Sequence, residues 1–277
     1  MKNYLKLVNF EFNRCAKLYF VLIGLTAVSQ LIAVFVESRR YLSQVNVALY
    51  QDKIPKAQFL SETGEMSMFW IVNNAWFSLP IIICITAMLF YSFFIWYIEW
   101  MGKNSFIYRL LMLPTARMNI FWSKLTTIAL MIFGLIAAQL ALLLIEGQLL
   151  EWLVTNEFRV DLSIQQLSES SYYLAILIPK SFIAFIMHYG AGFGMLLIGF
   201  TVILFERSFR FKGMLLGLVF GTVAFLLFFL PTIASEVVGF KGLYPEELLI
   251  AELVLGLMVI GLSSWTSHYL LNKKVTV

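Results

Sequence analysis

The chain has 277 residues, 61% hydrophobic and 13% charged, with 20 basic and 16 acidic side chains and a mean hydropathy of +0.85. A soluble domain carries about 45–50% apolar and about 25% charged residues, and even a large one buries only about three quarters of its surface. The composition therefore excludes an ordinary soluble domain, and the lack of a basic stripe on a soluble face excludes a nucleic-acid binder; lipid is the solvent this chain requires.

Residues 1–17 are too polar for a signal peptide, and no small-x-small cleavage site follows the first apolar run. Tyr4, Val8, Phe12 and Cys15 recur at helical spacing, with Lys2, Lys6, Asn9, Asn13 and Arg14 largely on other faces. That pattern predicts an N-terminal interfacial helix on the membrane surface. Six apolar runs then reach the ~20 residues needed to cross ~30 Å of hydrocarbon. They lie near 18–36, 75–98, 124–145, 182–205, 213–231 and 248–271. The expected fold is an all-α polytopic membrane protein, one transmembrane domain over 1–277. Tyr172 to Phe205 is too long for one straight span, and Pro179 and Lys180 predict an interfacial or re-entrant turn before the fourth.

Charge sets the expected orientation. The segments 1–17, 99–124, 206–212 and 272–277 hold 13 of the 20 basic residues and three of the 16 acidic ones. The positive-inside rule makes these segments cytoplasmic, with both termini inside. The loops 37–74 and 146–172 are then extracellular, and their helical patterning predicts small ordered caps. Trp70, Trp76 and Trp152 fall near outer ends of spans, and Trp96, Trp100, Trp122 and Trp265 near inner ends, as an aromatic belt requires.

Motifs for chemistry are absent. There is no G-x-x-x-x-G-K-[ST], H-E-x-x-H or G-x-S-x-G, so no catalytic residue is assigned. Cys15, Cys84, His188 and His268 are scattered, which predicts neither a disulfide framework nor a metal site. Glu246 and Glu247 read as a solvated pair at a helix N-terminus, where the dipole favours negative charge. Gln139, His188 and Glu252 are the polar groups at depth; His188 reads first as a neutral histidine bonded to a nearby carbonyl. Gly213, Gly217 and Gly221 share one face of the fifth span, as helix packing within the subunit or as a subunit interface. Phe90, Phe94 and their aromatic neighbours either line a substrate path together with His188 or face lipid.

The stretch Glu99–Lys124 is the most informative. Glu99 is followed by Gly102, an amphipathic piece containing Arg109 and Leu110, then Leu113-Pro114-Thr115-Ala116-Arg117, and finally Lys124 at the start of the next span. This resembles the cytoplasmic coupling loop of permease subunits of six-span ATP-binding-cassette (ABC) exporters. The position of Thr115 directly after the proline departs from the family's order. The resemblance implies ATPase-coupling roles for Glu99, Gly102, Arg109, Leu110, Pro114, Arg117 and Lys124. It also implies a separate ABC ATPase subunit that binds ATP and Mg, a second permease subunit, and residence in a bacterial plasma membrane. An amphipathic cargo such as an antimicrobial peptide, a lipid or a drug follows from the same likeness. The chain itself is expected to bind no cofactor and to be no enzyme. Read from the residues alone, a short amphipathic helix closed by Pro114 is a stiff element that a partner could grip, with Glu99 and Lys124 pairing to brace it. The alternative is an integral-membrane enzyme or assembly factor acting through the extracellular loops.

Overall fold

The structure, a computed structural model, describes residues 2–100, 110, 112, 116–236 and 244–274. It is 89% helical. The long helices are α1 (Lys2–Asn46), α4 (Ala75–Trp100), α5 (Met118–Leu153) and α11 (Pro245–Lys273). Short helices α2 (Lys56–Thr63), α3 (Met68–Val72), α6 (Ile164–Ser170), α7 (Tyr172–Leu177) and α10 (Leu230–Glu236) lie between them. The chain is an all-α multi-pass protein, with six helices among the described residues long and apolar enough to cross a membrane.

No separate surface helix is seen at residues 1–17. α1 passes residue 17 without a break and runs for 45 residues, roughly 68 Å at 1.5 Å per residue. The stretch holds no Pro or Gly before Gly24. One buried stripe continues along it through Val8, Glu11, Cys15, Tyr19, Leu22 and Thr26, so packing selects a single helix.

Helical conformation is also continuous from Phe182 to Phe228, but this is not one rod. In a straight helix Gly217 would lie roughly 22 Å from Val202. Instead a methyl placed on Gly217 would sit 3.0 Å from the Val202 carbonyl oxygen, and Phe220 stacks on Phe205 at 5.4 Å. The chain therefore folds back into two spans, α8 (Phe182–Phe209) and α9 (Phe211–Phe228). The expected interruption at Pro179 is present, between the end of α7 and the start of α8.

Where the sequence suggests one transmembrane domain, contacts divide the chain into two compact units. Unit 2 comprises Arg14–Met88 and Leu130–Phe182. Its core includes an apolar cluster in which Val34, Ile71, Phe77, Leu150, Val154 and Leu174 are almost fully buried. The loops are ordered: the Met66 amide donates to the Phe158 carbonyl (2.8 Å) and the Val160 amide to the Met66 carbonyl (2.9 Å). Arg159 closes the end of α5 by donating to the carbonyls of Glu151 (3.0 Å) and Val154 (2.7 Å), while pairing with Asp161. It thereby satisfies acceptors that a helix C-terminus leaves open. Within the cluster's polar fringe, Gln30 and Gln139 exchange reciprocal amide bonds of 3.2 Å.

Unit 1 comprises Met1–Asn13, Leu89–Ala129 and Ile183–Val277. Trp96 of α4, Phe121 of α5 and Phe200 of α8 meet edge-on or tilted at 5.5–6.2 Å between ring centroids. Thr201 bonds the Ser263 carbonyl and the Ser267 hydroxyl, tying α8 to α11. The N-terminus of α11 is capped by Glu247, which accepts from the Tyr244 amide at 2.9 Å.

Candidate functional site

Among the described residues of unit 1, the densest charged site is built on Lys124. The residue is fully buried near the N-terminal end of α5. Its ammonium donates to Glu11 of α1 and to Glu99 of α4, each at 2.6 Å, and to the Ile95 carbonyl at 3.2 Å. It also lies 5.3 Å from the Trp96 ring centroid, within cation–π reach. Glu11 is 2% exposed and Glu99 is 0% exposed. A buried ion pair of this kind contributes little net stability against a well-packed apolar replacement. Removing one partner, however, strands the rest, and fixed geometry is what such a cluster supplies.

Local periodicity explains the placement. Tyr4, Val8 and Glu11 share one face of α1, and the Tyr4 hydroxyl reaches the Thr126 hydroxyl while Thr127 bonds the Val8 carbonyl. Glu99 closes α4 three residues after Trp96, so acid and aromatic ring both face α5. A further tie sits beside them: the Tyr97 hydroxyl bonds Glu206, and the Arg207 guanidinium lies 4.6 Å from the Tyr97 ring and 5.6 Å from that of Trp100.

The sequence-derived residues fall as follows. Glu99 and Lys124 are brought together. Leu110, expected on a face offered to a partner, is instead 5% exposed and packs with Leu7 and Ile120 against Trp100. Arg117 donates to the Leu271 carbonyl at 2.8 Å, inside its own unit. Gly102, Arg109 and Pro114 lie outside the described residues. Gly213, Gly217 and Gly221 face back onto Phe205 and Val202 of α8, so they make the α8–α9 hairpin close. Phe90 (72% exposed) and Phe94 (50%) lie on the outer side of α4. His188 is exposed too and contacts the Ala184 carbonyl of its own helix at 2.9 Å. No contact joins these three among those the structure records.

Two features escape a linear reading. Glu11 needed the α1 stripe to be followed through the 4–8–11–15 spacing. Gln30, the partner of Gln139, is the middle of Thr26, Gln30 and Val34 at four-residue intervals in an apolar run. Among the described residues no group of three His, Cys, Asp or Glu could hold a metal ion. No protein family, curated protein or solved structure matches the chain.

Proposed function

We propose that this chain is the membrane-spanning permease subunit of an ABC exporter, moving an amphipathic peptide, lipid or drug with ATP hydrolysed by a separate subunit. One observation supports the reading above the rest. Glu99, just before the stretch 101–117, and Lys124, just after it, are bonded directly, and Glu11 joins them. A loop whose two roots are clamped to each other and to α1 passes force into three helices at once, rather than dissipating it in slack. Rigid-body motion of an ATPase gripping that loop would thus tilt α1, α4 and α5 together. The basic charge of the same segments supports a cytoplasmic position for the loop, where such an ATPase resides.

The buried state of Leu110 and the internal bond of Arg117 move the expected grip to other residues of the loop. Arg109 and Met112, the latter 70% exposed, are the candidates. The test is to purify the full chain from its native membrane in mild detergent and assay ATP hydrolysis in the complex. A copurifying subunit with a P-loop, and cargo-stimulated hydrolysis lost in Arg109→Glu or Met112→Asp at unchanged membrane insertion, is the expected result. Absence of associated hydrolysis, or full stimulation in both variants, overturns the assignment.

A further inference from the structure

Unit 2 contains another buried acid, and this one has no basic partner. Glu146 of α5 is 0% exposed, and neither carboxyl oxygen has a hydrogen-bond partner among the described residues. Ser38 of α1 is also 0% exposed, and its hydroxyl is likewise unpartnered. A helical hydroxyl ordinarily turns back onto the carbonyl four residues earlier, as Thr26 does onto Leu22 at 2.8 Å. Ser38 does not.

Helix register puts the two at one level. Gln30 and Gln139 bond each other, and nearer the start of each helix the Tyr19 hydroxyl of α1 lies against Gly134 of α5. Those contacts advance along both helices in the same sense, so α1 and α5 run parallel here. Ser38 is eight residues beyond Gln30 and Glu146 seven beyond Gln139, rises of roughly 12 and 10.5 Å at 1.5 Å per residue. Both belong to the buried stripes of their helices.

No cation of unit 2 serves this site. Lys56 pairs with Glu157, Arg159 with Asp161 and Lys180 with Glu169. Arg39 lies over the Phe35 ring, Arg40 and Lys53 are exposed, and Arg14 and Lys17 precede Ser38 on α1 by roughly 36 and 32 Å at 1.5 Å per residue. The other titratable groups nearby on α1 are Glu37, which accepts from Asn74, and Tyr41, which donates to the Gly64 carbonyl. On α2 there is exposed Glu62, on α5 exposed Glu151, on α6 exposed Glu169, and on α7 exposed Tyr172 and Tyr173; α3 has none, and the part of α4 within unit 2, up to Met88, contributes only Cys84, bonded to Thr26. An ionised carboxylate in such a core is heavily penalised unless a positive charge joins it.

We propose that Glu146 and Ser38 form a buried site for one positive charge taken from solution, either a proton on the carboxyl or an alkali cation shared with the Ser38 hydroxyl. A single acid cannot neutralise a divalent ion, so the charge is single. Because the site is closed, loading it requires the α1 and α5 stripes to part, and the bound charge stabilises their packed arrangement by linkage.

Thermal unfolding of the detergent-purified full chain tests this. Midpoints are compared from about pH 6 to about pH 9, where ordinary carboxylates no longer titrate, in choline chloride and in NaCl or KCl of equal ionic strength. The wild-type midpoint is expected to fall as pH rises in choline. Restoration by sodium or potassium identifies the alkali cation; identical curves in all three salts identify the proton. Glu146→Gln, or Glu146→Met should the amide not fold, is expected to flatten the response to both. A wild-type midpoint indifferent to both pH and salt overturns the proposal, as does a substituted protein that keeps the wild-type response.

Discussion

Lys124 balances two acids with one ammonium, and the arithmetic of that cluster makes unequal predictions for its members. Lys124→Ala leaves Glu11 and Glu99 buried together without the base, a loss on the order of 3–5 kcal/mol. Glu11→Gln leaves one acid for one base and is expected to be much milder. Midpoints of thermal unfolding in detergent rank the two, and equal losses would deny the cluster its role. Glu99 with Lys124 was legible in the sequence because a loop's ends must return to neighbouring helices. Glu11 was not, since its partner lies 113 residues away and only the register of α1 selects it. In unit 2, Arg159 holds the Asp161 carboxyl below its ordinary range through their hydrogen bond. A depressed acid adds stability above its unfolded pKa of about 4 and loses it as pH falls through the lower folded value. The 154–164 connection is therefore expected to resist limited proteolysis unchanged between about pH 5 and about pH 8. Arg159→Ala, which frees two helix carbonyls, should speed cleavage there across that range.

At the scale of elements, the α8–α9 hairpin turns on small residues. A methyl on Gly213 would run into the Phe205 carbonyl oxygen, which is backbone and cannot swing aside. Gly213→Ala is expected to cost about 1–3 kcal/mol, the range for overpacking a tight contact. Gly261→Ala, where nothing lies within 4 Å, should leave the unfolding midpoint unchanged. The glycine spacing was readable as close approach, but not its partner, because sequence periodicity describes one helix and says nothing of the facing one. α1 shows the converse limit. A change from polar to apolar composition near residue 17 suggests a boundary, whereas backbone hydrogen bonding and a continuous buried stripe are indifferent to which solvent surrounds the helix.

For the whole molecule, six spans were legible because hydrocarbon thickness fixes their length, and the two-unit division was not, because its boundaries fall inside α1, α4 and α5, where no break in composition marks them. Orientation rests on charge and is open to direct measurement. Cys15 and Cys84 are both buried, so a thiol introduced at exposed Lys53 or at Phe211, 88% exposed at the hairpin bend, should dominate labelling by a membrane-impermeant maleimide. Lys53→Cys is expected to react in intact cells and Phe211→Cys only after permeabilisation. Labelling of both from one side would remove the six-span arrangement with cytoplasmic ends.

The Lys124 cluster also has an order in time. Synthesis delivers Glu11 first, Glu99 next and Lys124 last, so a nascent chain carries two acids at the feet of its first two helices before their base exists. A chain halted short of residue 124 keeps that mismatch permanently.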